Sequence, residues 1–138
     1  MMTKYQEQAL YEPVRRFFRE AGYLVRGEVA DCDIVAAKTG ADLIAIELKL
    51  TLNLSVITQA VQRQRLCAEV WVAIARPARL VRTRRWHQLL QVLQRLELGL
   101  LLVDLDRPGQ PVEAVLLPRL ADRTQIIRRN KARYEQLK

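Results

Sequence analysis

Three side chains in this sequence have the types and spacing to hold a hard cation and act beside it: Asp33, Glu47 and Lys49. Glu47 and Lys49 lie in the stretch IAIELKL, residues 44–50, whose apolar residues read as a β-strand. Side chains alternate across a strand, so Ile46, Leu48 and Leu50 point one way and Glu47 and Lys49 the other. Asp33 opens a second apolar run, DIVAA, and a Thr-Gly turn separates the two. If residues 33–38 and 42–49 form a hairpin, Asp33 comes to the Glu47 end of its partner strand. Two carboxylates there can hold Mg²⁺, which takes oxygen ligands in octahedral geometry and keeps several waters when few carboxylates bind it. The backbone carbonyl of Leu48 adds a further ligand, and Mn²⁺ is expected to substitute. Lys49 would then orient a nucleophile, lower its pKa, or stabilise charge developing in a transition state. The bland alternative is a half-exposed strand with charges on its solvent face. Asp31 shares the strand face with Asp33, and the spacing favours Asp33.

The elements that position these residues follow from periodicity. Residues 4–21 carry Tyr5, Ala9, Val14, Phe17, Phe18 and Ala21 at helical spacing, with Pro13 as a kink or break and Gly22 as a stop. The runs YLVRGEV, DIVAAK and LIAIELKL read as three strands. Residues 54–67 read as a helix facing the core with Leu54, Ile57, Val61 and Leu66 or Cys67, and Gln59, Gln62 and Arg63 lie around another side. EVWVAIA (69–75) is a fourth strand. An Arg-rich helix over 82–97, strands over 98–105 and 112–118, and a basic helix over 121–137 complete the order. This order means a sheet with helices packed on it, in the α/β or α+β class, within one domain spanning 1–138.

Asp33, thirteen residues, then ELK (47–49) resembles the motif of the PD-(D/E)XK nuclease superfamily, in a matching order of elements. The stretch CDIVAAK…AIELKLTLNLSVITQAVQRQRLCAEVWVAI is more similar still to a bacterial family of uncharacterised PD-(D/E)XK phosphodiesterases, and it is also similar to Holliday-junction resolvases. The resemblance covers about residues 5–76 and extends weakly beyond. It implies a restriction-endonuclease-like αβββαβ core with a central mixed sheet, to which 77–138 add a helix, two strands and the C-terminal basic helix. It implies that Asp33 and Glu47 are metal ligands, that Lys49 is the catalytic lysine, and that Glu12, on the first helix, binds metal directly or through water. Gln59 takes the place of a glutamine many relatives carry near the site, with Gln62 and Gln64 as competitors. Cys32, where the name-giving pattern has proline, is a departure common among members. Read without the resemblance, Glu12 pairs with Arg15 or Arg16 on its own helix.

The charge is +8 overall and uneven. Residues 1–60 hold seven Lys/Arg against eight Asp/Glu, whereas 76–95 hold six Arg and no acid, and 119–138 hold seven Lys/Arg against two acids. Such asymmetry points to a polyanion. The expected nucleic-acid contacts are Arg63, Arg82, Arg84, Arg85, Arg128, Arg129 and Lys131, with Arg76, Arg79 and Arg133 beside them. Nothing resembles a base-reading helix, so DNA binding is expected to be structure-selective or nonspecific. No Cys/His cluster supports zinc, since Cys32, Cys67 and His87 lie far apart in sequence. Ser55 lacks a base for nucleophilic catalysis, and no Gly-rich phosphate loop occurs among five glycines. No apolar run approaches the roughly 20 residues that span a bilayer, and the first residues lack the apolar core of a signal peptide. With two free thiols, the expectation is a cytoplasmic protein without a membrane partner. The apolar positions of 82–97, 98–105 and 112–117 offer a homodimer interface. The alternative function is a nuclease-like module that binds DNA or protein without catalysis.

Overall fold

A computed structural model describes residues 6–29, 32–79, 83–107, 109 and 111–138, with Cys32 described by its backbone alone. The first element is a turn of 3-10 helix, Glu7–Leu10, that runs into α1, Tyr11–Glu20. Pro13 sits in the first turn of α1. Its missing N–H is one the helix would leave unpaired there anyway, so it marks the start of regular helix and not a kink. Leu10, Val14 and Phe18 recur every four residues and are buried. At the other end Gly22 adopts φ +95°, while Gly22 N–H donates to Arg19 O (2.9 Å) and Tyr23 N–H to Phe18 O (3.0 Å). That left-handed C-terminal cap turns the chain toward the sheet.

Six strands form one mixed sheet in sequence order: β1 (Leu24–Val29), β2 (Cys32–Ala37), β3 (Ile44–Lys49), β4 (Glu69–Ala75), β5 (Gly99–Val103) and β6 (Val112–Leu116). The pairs β1–β2, β2–β3 and β5–β6 are antiparallel, and β3–β4–β5 are parallel. Parallel neighbours need crossovers, which α2 (Leu54–Arg63) and α3 (Arg84–Arg95) supply. Both helices pack on one face with Ala45, Val70, Val72, Ile74, Leu100 and Leu102. The other face carries α1 over Ile34, Ile44, Ile46, Trp71, Ala73 and Leu101. The chain is therefore an α/β protein with a six-stranded mixed sheet flanked by helices.

Several expected boundaries shift. The helix expected over 54–67 is regular only to Arg63, and Leu54, expected in the core, is 75% exposed. The cap explains this: Asn53 Oδ1 accepts from Val56 N–H (2.9 Å), so Leu54 is the first helical residue and Val56, Ile57 and Ala60 form the buried face. The basic C-terminal helix is two short ones, α4 (Arg123–Arg129) and α5 (Lys131–Leu137). At the break, Asn130 Nδ2 donates to Ile126 O (2.8 Å), a side-chain bond that competes with helix continuation. No helix among the described residues is long and apolar enough to cross a membrane.

Candidate active site

The site grows out of the place where β2 and β3 part. Their ladder pairs Ala36 with Ile44, Val35 with Ala45 and Ile34 with Ile46. The next pair in that register is Asp33 with Glu47, and there side chains replace the backbone ladder. Asp33 N–H donates to Glu47 Oε2 (3.2 Å), and Asp33 Oδ2 accepts from Leu48 N–H (2.8 Å). In a strand the N–H and C=O of one residue point the same way, so the Leu48 carbonyl shares the gap with Asp33. β3 remains paired with β4 as far as Lys49 and Ile74. One edge of β3 is thus paired to its end while the other opens.

Glu47 is the one buried charged residue among those described, at 2% exposure. Its second oxygen faces Arg63 Nε of α2 at 3.3 Å, and Arg63 is itself 19% exposed. Burial pushes the Glu47 carboxyl above the usual 4.5, and the nearby charge of Asp33 adds to this; the Asp33 N–H and the Arg63 cation oppose it without cancelling it. Lys49, at the end of β3, extends its ammonium to Glu7 Oε2 at 3.6 Å. A cleft of about 670 Å³ opens in front of the gap, lined by Glu7, Gln8, Tyr11, Gly27, Glu28, Asp33 and Leu48.

The structure therefore brings Asp33, Glu47 and Leu48 together, with Lys49 two residues further along β3 and paired with Glu7. It does not bring Glu12 to them. Glu12 accepts from Arg15 (2.9 Å) and lines a separate hollow with Arg15, Arg16, Arg19 and Glu20. The carboxylate that the N-terminal segment delivers is Glu7, from the 3-10 turn before α1. Sequence reasoning passed over it, although Glu7 and Tyr11 are one helical turn apart and both reach the cleft. Gln59 is exposed on α2, one turn before Arg63 and along the same helix row. Gln62 is exposed and accepts from Arg65 (3.4 Å), while Gln64 donates to Leu96 O (2.7 Å) and ties the end of α2 to that of α3.

Arg63, expected on the nucleic-acid surface, instead points inward at Glu47, because Val56, Ala60 and Arg63 share the helix row that faces the sheet. Arg84, Arg85, Arg128, Arg129 and Lys131 are exposed, as is His87. Arg82, Asp31 and the Cys32 side chain lie outside the described residues. Cys67 is a free, buried thiol whose pKa burial raises.

Among the described side chains the donor set suits a hard cation: the carboxylates of Asp33 and Glu47, with the Leu48 backbone carbonyl. Asp33 keeps Oδ1 unused among the described residues, since only Oδ2 takes a hydrogen bond. No group of three or more His, Cys, Asp or Glu side chains is already gathered tightly enough to hold a metal among the described residues. The residues that would hold an ion are therefore Asp33, Glu47 and the Leu48 carbonyl, with Glu7 at the edge. Comparison with known proteins found no matching family, and no curated protein or solved structure matches the chain.

Proposed function

We propose that this chain is a metal-dependent phosphodiesterase of the PD-(D/E)XK kind, acting on DNA with Mg²⁺ or Mn²⁺ as cofactor. The observation that carries the reading is the pairing of Asp33 with Glu47 across the opening of β2 and β3, with Lys49 two residues further along β3. Bound Mg²⁺ would supply Lewis-acid polarisation of the scissile phosphate and help generate a nucleophile at neutral pH. The chain's own residues do the rest. Asp33 is held by the Leu48 N–H through Oδ2, which leaves Oδ1 for an ion. Glu47 is held by the Asp33 N–H. Lys49, partly exposed at the end of β3 and paired with the cleft residue Glu7, donates to a phosphate oxygen as negative charge accumulates there. The exposed arginines at the start of α3 neutralise backbone phosphates of the substrate, while those of α4 lie by the C-terminal end of α3, near Gln94 and Glu97.

One observation favours the second reading, a DNA-binding module without catalysis. Arg63 already supplies a positive charge to Glu47, so that carboxylate has a partner without any metal ion. The two readings part in a cleavage assay with Mg²⁺ or Mn²⁺ on labelled duplex, junction, flap and single-stranded DNA, run beside Lys49→Ala. Metal-dependent cutting lost in the variant supports the phosphodiesterase. Salt-sensitive binding by both proteins without cutting supports the module.

A further inference from the structure

We propose that Arg63 is an internal counter-ion that occupies Glu47 in the metal-free protein and competes with the divalent ion for it. This inference rests on the metal-binding reading of Asp33 and Glu47 and adds how the site is regulated.

The argument begins with the cost of the site. Asp33 and Glu47 stand directly opposite in adjacent strands, an arrangement that repels when both are ionised. Glu47 is almost wholly buried, where an unpaired charge is expensive. The fold meets this cost from two sides. The Asp33 and Leu48 N–H groups each donate to the facing carboxylate, and α2 brings Arg63 Nε to 3.3 Å from Glu47 Oε1. Four described carboxylates around the gap and its cleft, Glu7, Glu28, Asp33 and Glu47, would attract a divalent ion. Arg63 sets one positive charge against that attraction at Glu47 itself. Without Arg63 an ion at Glu47 would no longer meet that charge.

Both oxygens of Glu47 are engaged, one by Asp33 N–H and one by Arg63. An ion that uses Glu47 must share it with the guanidinium or displace it. Arg63 is 19% exposed on the last turn of α2, so its head group has a short path out. There its five donors would meet a phosphate oxygen in the site. Removing Arg63 should therefore have two effects of opposite sign. The metal-free fold loses the partner of a buried carboxylate and becomes less stable. The ion meets one positive charge fewer and binds more tightly. Even at the dielectric of water, the Coulomb energy between a unit charge and a divalent ion in neighbouring positions is worth on the order of tenfold in affinity.

The test is a calorimetric Mn²⁺ titration of the full chain with thermal unfolding, for wild type, Arg63→Gln and Arg63→Lys. The expected result is a lower Tm for metal-free Arg63→Gln, a Mn²⁺ Kd about tenfold smaller than wild type, and near-wild-type values for Arg63→Lys. A purely structural arginine would lower the Tm and leave the affinity unchanged or weakened, and that result overturns the counter-ion role while the metal site stands. Wild-type protein that takes up no Mn²⁺ overturns both. If Arg63→Gln does not fold, the Arg63 Nε–H resonance of ¹⁵N-labelled wild type decides. It should shift as Mg²⁺ saturates the site, and a resonance that stays in place overturns the proposal.

Discussion

Replacing Asp33 separates its structural from its chemical role. Asp33 Oδ2 accepts from Leu48 N–H at 2.8 Å, the bond that substitutes for the missing ladder where β2 and β3 part. Asp33→Ala removes the acceptor and leaves a half-buried N–H unpaired, which costs about 1–2 kcal/mol net of the relieved repulsion with Glu47. For a domain of this size each kcal/mol corresponds to about 3–4 °C in Tm, so the expected drop is about 3–8 °C. Asp33→Asn keeps a carbonyl oxygen to accept from Leu48, so its Tm should lie within about 2 °C of wild type. Neither variant keeps the Asp33 carboxylate, so both should lose Mn²⁺ binding. The assay is differential scanning calorimetry with and without Mn²⁺. An Asp33→Ala protein as stable as wild type, or an Asp33→Asn protein that still binds Mn²⁺, would refute the reasoning.

Lys49→Ala should abolish cleavage and spare both Mn²⁺ binding and Tm, because a partly exposed pair at 3.6 Å is worth about 1 kcal/mol or less; a gel assay beside a melt checks this. Glu7→Gln should weaken cleavage while Glu12→Gln leaves it unchanged, and the reverse order would contradict the placement of Glu7 at the cleft. Gly99→Ala should destabilise by about 1–3 kcal/mol, because an added Cβ would come within 2.6 Å of the buried Trp71 ring; urea unfolding measures it. Since burial raises the Glu47 pKa above 4.5, folded protein holds that proton where unfolded protein has released it. Its contribution to metal-free stability is therefore complete below 4.5 and is lost as pH rises through the folded-state value, a slope Glu47→Gln should remove from a Tm–pH series.

Much of this arrangement was legible from residue types. Alternation in IAIELKL set Glu47 apart from its apolar neighbours, and the Thr-Gly turn brought Asp33 opposite it, because strand period and hairpin register are local properties. The apolar run 69–75 became the buried strand β4 with those same bounds. Facing on the helices was harder to read. Asn53 as cap rotates α2 so that Leu54 is outside and Arg63 inside, and only the tertiary packing of α2 on β3 and β4 fixes that rotation. Arg63 reads as a surface cation in sequence because its partner, Glu47, lies sixteen positions earlier on another element. Glu7 was passed over for the same kind of reason. Helical spacing across 4–21 made the segment before Pro13 look like the front of one long helix, on which Glu12 and not Glu7 fitted the motif. The 3-10 turn directs Glu7 to the cleft, while Glu12 is taken up by Arg15.

The most direct test of the central claim is a crystal soaked in Mn²⁺ and measured at the manganese absorption edge. The expected result is an anomalous peak between Asp33 and Glu47, beside the Leu48 carbonyl, that is absent from Asp33→Asn. Manganese bound elsewhere, or an empty gap with Arg63 still resting on Glu47, would contradict a metal-dependent phosphodiesterase.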